Sequence, residues 1–272
     1  MVSPRDAAIH VGLFVACCVT TWWFGGPYFA ATLMGILLCH ELGHYVMSRR
    51  HGVAVSLPYF IPVPPFITLG TLGAVIRMDK PISDRNALFD VGAAGPIAGL
   101  IVAVPLLVVG LYLSPLVLVT PGEGIEGNSI LYALLKYVVF GHWLPSDGLD
   151  VELHPMAFAG WVGLLITMIN LMPIGQLDGG HVSYAVLGPR STYVTIVMIG
   201  VVISLAYFSS SWIVWTILLL AMLVMFGPKH PRVFDEDVPL DRTRVLLALI
   251  GVAIFVVCFT PAPIRPMELI GR

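Results

Sequence analysis

Charge is scarce in this chain. Of its 272 residues, 11% are Asp, Glu, Lys or Arg, where soluble domains carry about 25%. With 58% of the residues hydrophobic, little polar sequence is left to build a soluble domain. The net charge of −2 says nothing about nucleic acid, but no basic run suggests it, so no nucleic-acid partner is expected. Cysteine is also sparse. Cys17, Cys18, Cys39 and Cys258 lie in apolar segments without C-x-x-C spacing, so they read as small buried hydrophobes, not disulfides or ligands. Residues 1–24 lack a clear small-x-small cleavage site, and Trp22-Trp23 reads as an interfacial anchor instead. No feature specifies an oligomeric state.

What is present is apolar sequence in blocks of membrane length. Spans are expected at 8–24, 28–47, 91–119, 155–173 running on to about 187, 192–208, 210–227 and 244–260, each near the ~20 residues a bilayer requires. With the N-terminus in the cytoplasm, Arg5, Arg49, Arg50, Arg77, Lys80, Arg85, Arg190, Lys229, Arg232, Arg242 and Arg244 fall inside. Lys136, Arg265 and Arg272 fall outside. That asymmetry sets the expected orientation.

The second span holds His40-Glu41-Leu42-Gly43-His44. Helical residues four apart point nearly the same way, about 6 Å along the axis. His40 and His44 can therefore share one metal ion, with Glu41 beside a water on it. The pattern is short enough to arise by chance. Within a membrane, however, a carboxylate costs roughly 2.5–3.5 kcal/mol on insertion scales, so an intramembrane Glu reads as functional.

Residues 57–76 are apolar yet carry Pro58, Pro62, Pro64 and Pro65, which forbid a regular helix. Basic residues flank both ends, so the segment is expected to re-enter the membrane as a small β-hairpin. Protein or a cavity must then satisfy its backbone; the alternative is an amphiphilic surface loop. Gly92, Gly95 and Gly99 share one helix face and suit close approach of a neighbouring helix, or of a second copy of the chain. Residues 120–153 read as an external loop with an amphipathic helix at 129–143. Residues 228–243 read as a charged, solvated cytoplasmic loop.

Residues 170–181 interrupt an apolar helix with Pro173, Gly175, Gly179 and Gly180, and place Asp178 in the break. An acid in a broken membrane helix marks a site. A catalytic zinc takes three protein ligands and keeps one open position. His40 and His44 supply two, and Asp178 is the candidate third. His181 is expected to orient Asp178 without itself ligating. His10, His51, His142, His154 and His230 lie outside both motifs. Three functions compete for this set: a zinc protease with an Asp ligand; a prenyl-protein-processing type with a downstream Glu ligand, against which Leu177-Asp178-Gly179 argues; and a transporter or non-catalytic metal binder built on a broken helix.

His40-Glu41-x-x-His44, Gly70-Thr71-Leu72-Gly73, Gly95-Pro96, and Asn170-x-x-Pro173 with Leu177-Asp178-Gly179 together resemble the site-2 protease family of intramembrane zinc metalloproteases. The resemblance spans about residues 28–187. It implies an all-α polytopic fold with a three-helix catalytic core, a short re-entrant β-hairpin and about three to four flanking spans. It also implies one Zn2+ per chain held by His40, His44 and Asp178, Glu41 as base, Asn170 assisting, and a transmembrane-helix protein as substrate. Residues 66–76 resemble the bacterial and plastid branch. One membrane-embedded peptidase domain is expected over 1–272, with no inserted PDZ or appended CBS domain apparent. Gly70, Thr71, Leu72 and Gly73 are expected to bind substrate as the edge of an added strand.

Overall fold

The computed structural model describes residues 4–78, 81–118, 124–146 and 148–266. Lys80, Val119 and Arg272, used in the sequence reading, lie outside them.

The fold is mostly helical. The first helix, α1, runs Pro4–Arg50 but is two limbs joined at Gly26, whose φ of 78° and ψ of −177° are non-helical. Only glycine adopts this conformation without strain, and Pro27 then starts the second limb with φ already preset. The limbs pack side by side: Phe14, Cys18 and Trp22 line one wall of a cleft and Ala30, Met34 and Leu38 the other. The two expected spans, 8–24 and 28–47, are these limbs. Among the described residues, three helical stretches are long and apolar enough to cross a membrane: Arg5–Arg50, Arg85–Tyr112 and Asp178–Phe208.

The proline-rich stretch folds as expected of a hairpin. Strand β1 (Tyr59–Pro62) pairs antiparallel with β2 (Thr71–Val75), with Tyr59 opposite Val75 and Phe60 opposite Ala74. The first limb of α1 satisfies its backbone. The Thr20 hydroxyl donates to the Gly70 carbonyl at 2.6 Å, and His10 Nδ1 meets the Pro58 carbonyl at 3.1 Å. Phe14 packs edge-on against Phe60. Gly70 has φ +93°, and a Cβ there would lie 2.6 Å from the Thr21 nitrogen, so glycine permits both the turn and this approach.

Helix α2 (Arg85–Tyr112) is the central element. Asp84 caps it, accepting from the Asn86 and Ala87 amides. It packs on α1 and on α4 (Pro155–Asn170) and α5 (Asp178–Leu187). Glycines set the closeness of these contacts. A Cβ on Gly160 of α4 would lie 2.7 Å from Leu107 Cβ, and one on Gly163 3.0 Å from Ile36 Cδ1. The main core of Phe29, Leu33, Leu107, Leu111, Leu164 and Met168 fills the space between these helices.

The expected external loop contains α3 (Ile130–Phe140), capped by Ser129 and closed by Gly141 at φ +80°. Small sheets flank it: β3 (Leu116–Leu118) pairs with β5 (Leu149–Val151), and β4 (Gly124–Glu126) with β6 (Ile264–Pro266). Lys136, counted above as an outer charge, is 0% exposed. It bonds Asp150 at 3.1 Å, lies 3.8 Å from Glu126, and sits over the Tyr132 ring. Burial of a charge requires such partners.

After α5, a 3-10 turn at Gly188–Arg190 leads into α6 (Ser191–Phe208), then α7 (Ser211–Phe226) and α8 (Arg242–Cys258). The segment between α7 and α8 is not simply solvated, contrary to expectation. Its Phe234 and Asp235 amides donate to the Ile82 and Ser83 carbonyls at 2.9 and 2.8 Å. Val233 is buried among Leu88, Tyr184 and Ala248, and Glu236 bonds Tyr184 and Arg85. Apolar anchoring by Val233 holds the charged residues in place as a strap across the start of α2.

Candidate metal centre

His40 and His44 lie on one face of the second limb of α1. Asp178 comes from more than 130 residues away in sequence, as the first residue of α5. The break that delivers it runs from Leu171 to Leu177. Its loose backbone groups find partners within the protein: Gly175 N donates to the Thr195 hydroxyl at 3.3 Å, and that hydroxyl donates to the Pro173 carbonyl at 3.2 Å. Gly179 lies against the Leu171 carbonyl, and Gly180 against the Gly175 carbonyl, closer than any Cβ would allow. The Gly-Gly pair thus lets α5 start tight against the end of α4, with Asp178 turned toward α1.

The three side chains converge. His40 Nε2 and His44 Nε2 are 3.1 Å apart. Asp178 Oδ2 is 3.3 Å from the first, and Oδ1 is 3.2 Å from the second. A tetrahedral zinc bound at ~2.0–2.1 Å spaces its ligand atoms ~3.3 Å from each other. The donor triangle therefore fits zinc in size, and two imidazoles with one carboxylate fit it in chemistry. Among the described residues this is the group of His, Cys, Asp and Glu whose ligand atoms cluster, all within 4.8 Å.

One tautomer follows from the surroundings. His44 Nδ1 is 2.8 Å from the Val91 carbonyl. A carbonyl can only accept, so the ring proton is on Nδ1 and the Nε2 lone pair faces the triangle. This backbone partner was not legible from residue types, because a carbonyl's role leaves no mark on residue identity.

Glycines on α2 seat the histidines. A Cβ on Gly95 would fall on the His44 ring, one on Gly99 would lie 3.3 Å from His40 Cβ, and one on Gly92 2.8 Å from His181 Cβ. Of the two readings of this stripe, close packing within the chain is the one observed.

Around the triangle is a cavity of about 310 Å³, lined also by Glu41, Asn170, Gln176, Leu177 and His181, and by Ala74, Val75, Ile76 and Met78 from the hairpin arm. Glu41 is 7% exposed and makes no hydrogen bond or ion pair with the described residues, leaving its carboxylate for what enters the cavity. The Asn170 amide nitrogen is 3.4 Å from His40 Nε2. His181 lines the cavity outside the donor triangle, and its Nδ1 is 2.6 Å from His230 Nε2. Gly70 sits at the turn just before β2, and Thr71, Leu72 and Gly73 lie along it ahead of the residues that line the cavity. Thr71 is turned inward, its hydroxyl donating to the Ile61 carbonyl and accepting from the Gly73 amide.

Of the other histidines, His51 bonds Asp90 at 2.8 Å, and Arg244 of α8 bonds the same carboxylate. His10 holds the hairpin, as described. His154 caps α4 by accepting from the Met156 amide. His230 reaches His181 on the cavity wall, from a loop where sequence alone gives a lone histidine no signal.

Residues 28–208 match the model of Peptidase family M50. The chain is 32% identical over 244 residues to a protein of Arabidopsis thaliana named probable zinc metalloprotease EGY1, chloroplastic, covering 85% of this chain and 42% of that protein. It is 29% identical over 254 residues to the probable zinc metalloprotease EGY2, chloroplastic, of Oryza sativa subsp. japonica, covering 90% and 44%. The chain thus spans less than half the length of these relatives.

Proposed function

Because this chain belongs to peptidase family M50, we propose that it is an intramembrane zinc metalloprotease that hydrolyses a peptide bond in or beside a transmembrane helix of a protein substrate. The observation that carries this reading is the convergence of His40, His44 and Asp178 from two distant apolar segments, at ligand spacing.

His40, His44 and Asp178 hold one zinc per chain. Zinc bound there supplies Lewis acidity toward a carbonyl and makes a water acidic enough to attack near neutral pH. Glu41 takes the proton of the attacking water and passes it to the leaving amine. Asn170, beside His40, donates to the developing oxyanion or to the substrate backbone. His181 is not a ligand; it stands next to the triangle and shapes the pocket.

A helix presents no free carbonyl, since its backbone groups bond one another. The substrate must therefore be held extended. Strand β2 pairs with β1 on one side, and its other edge, from Gly70, Thr71, Leu72 and Gly73 to Val75, is the edge to which a substrate strand adds. Ala74–Ile76 carry that strand past the donor triangle. The catalytic core is the three-helix assembly within 28–187, part of a single membrane-embedded peptidase domain, with 8–24 and 192–260 as accessory spans. The N-terminus and the active-site side face the cytoplasm, as the distribution of basic residues favours.

The test is zinc content together with cleavage of a membrane-helix substrate, for the wild type and Asp178→Ala. The variant is expected to lose both. Full zinc occupancy in Asp178→Ala would move the third ligand elsewhere. A zinc-loaded wild type that cuts no membrane helix would sink the protease reading.

A further inference from the structure

The strap between α7 and α8 places His230 on the rim of the site, and its hydrogen bonds have a direction. His230 Nδ1 is 2.5 Å from the Pro231 carbonyl, which can only accept, so Nδ1 carries the proton. In a neutral imidazole the other nitrogen is then an acceptor. Burial, which pushes the His230 ring below its ordinary range, favours that neutral form. His230 Nε2 therefore accepts the proton of His181 Nδ1, 2.6 Å away. His181 in turn is left with a bare lone pair on Nε2, a nitrogen that no described residue engages.

We infer that His181 Nε2 accepts a hydrogen bond from a backbone N–H of the extended substrate, and that His230 is the positioning residue that fixes His181 in this tautomer. The inference rests on the protease reading and deepens it. His181 and the hairpin residues Ala74, Val75 and Ile76 line the same cavity. A substrate strand paired with the free edge of β2 uses half of its backbone groups on that edge. The N–H groups on its other side face away from β2, where leaving one unpaired is costly. His181 offers an acceptor, not a donor, which suits an amide and not an oxyanion.

The strap holds His230 by contacts independent of the site. The Phe234 and Asp235 amides bond Ile82 and Ser83, Glu236 bonds Tyr184 and Arg85, and the His230 ring stacks on Tyr184 with centroids 4.5 Å apart.

Two measurements on the full chain in nanodiscs test this. The first is nitrogen NMR of labelled histidine, with His181→Gln identifying the resonance. Nε2 of His181 is expected to be unprotonated in the wild type, and His230→Ala to give a mixture of tautomers with zinc content unchanged. A protonated Nε2 in the wild type overturns the inference, whether or not the chain proves to be a protease. The second uses a panel of synthetic Leu/Ala/Gly-rich transmembrane peptides in which single amides are replaced by esters, removing one N–H at a time. At one position the ester is expected to raise KM roughly 3- to 10-fold for the wild type, the size of one neutral hydrogen bond. That penalty should vanish in His181→Asn and shrink in His230→Ala, with zinc content unchanged in both. His181→Gln, whose amide oxygen replaces Nε2 as acceptor, is expected to restore part of the ester penalty. If every ester costs the same in wild type and His181→Asn, His181 does not touch the substrate. A wild type with zinc that cleaves no peptide of the panel removes the substrate contact along with the protease reading.

Discussion

Gly95 of α2 and the imidazole of His44 occupy adjoining space so closely that a Cβ on the first would overlap the second. The His44 ring is therefore pinned from two directions, by Gly95 beneath it and by the Val91 carbonyl at Nδ1. A side chain at 95 must push the ring out of the donor triangle. Gly95→Val is expected to lose zinc although position 95 is no ligand. Gly251→Val, where nothing lies within 4 Å of an added Cβ, should keep it. Metal analysis of the two purified proteins decides the matter, and normal zinc in Gly95→Val would show that the glycine does not set the ring.

Glu41→Gln separates binding from chemistry. The amide keeps the shape of the carboxylate but cannot take a proton, while both histidines and Asp178 remain. Zinc content should stay at one per chain and cleavage should fall by about 10²–10⁴-fold, the usual weight of a general base. Activity within tenfold of wild type would mean that another group removes the proton.

The free edge of β2 is open to a proline test. Leu72 is 49% exposed, and proline there removes a ladder donor. Gly73 is a poorer choice, because its φ of +91° is closed to proline and its amide bonds the Thr71 hydroxyl. Leu72→Pro should abolish cleavage of a membrane helix while leaving zinc bound, and should affect an already unfolded peptide less. Equal rates on both substrates would make the hairpin a structural plug.

Lys136 is expected to matter for stability and not for cleavage chemistry. Lys136→Met leaves Glu126 and Asp150 buried without their cation, and should cost about 3–5 kcal/mol, read as a fall in Tm. The pH dependence has a definite sign. Burial pushes the Glu126 carboxyl up, more than the nearby Lys136 brings it down. The folded state thus holds this proton more tightly than the unfolded chain does. Its contribution is fully present below the ordinary carboxyl value and is lost as pH rises through the raised one. Glu126→Gln should flatten that decline, and a wild-type Tm that rises through the window would contradict it.

Much of the site was legible because ionisable groups are so rare here. In a chain with this little charge, His40, Glu41, His44 and Asp178 stood out against apolar helix, and the broken stretch at 170–181 announced a second half. The hairpin was legible from its four prolines, and the two limbs of α1 from two successive apolar blocks, 8–24 and 28–47. Three things left no trace in residue type. The Val91 carbonyl, Thr195 beneath the helix break, and His230 reaching in from the strap all act through tertiary placement. The strap itself read as solvated because its charges hide one buried residue, Val233. Lys136 was the one missed signal: a single cation in the otherwise apolar run of α3 asks for a partner.

The reversal at Gly26 has a mechanical consequence. One limb of α1 carries the hairpin as a passenger, through Thr20, His10 and Phe14; the other carries His40 and His44. The hairpin and the two histidines of the donor triangle are thus mounted on two arms joined at one residue, Gly26. A tilt of the outer arm would change the spacing between the hairpin and the donor triangle while leaving the triangle undistorted, because His40, His44 and Asp178 all lie off that arm.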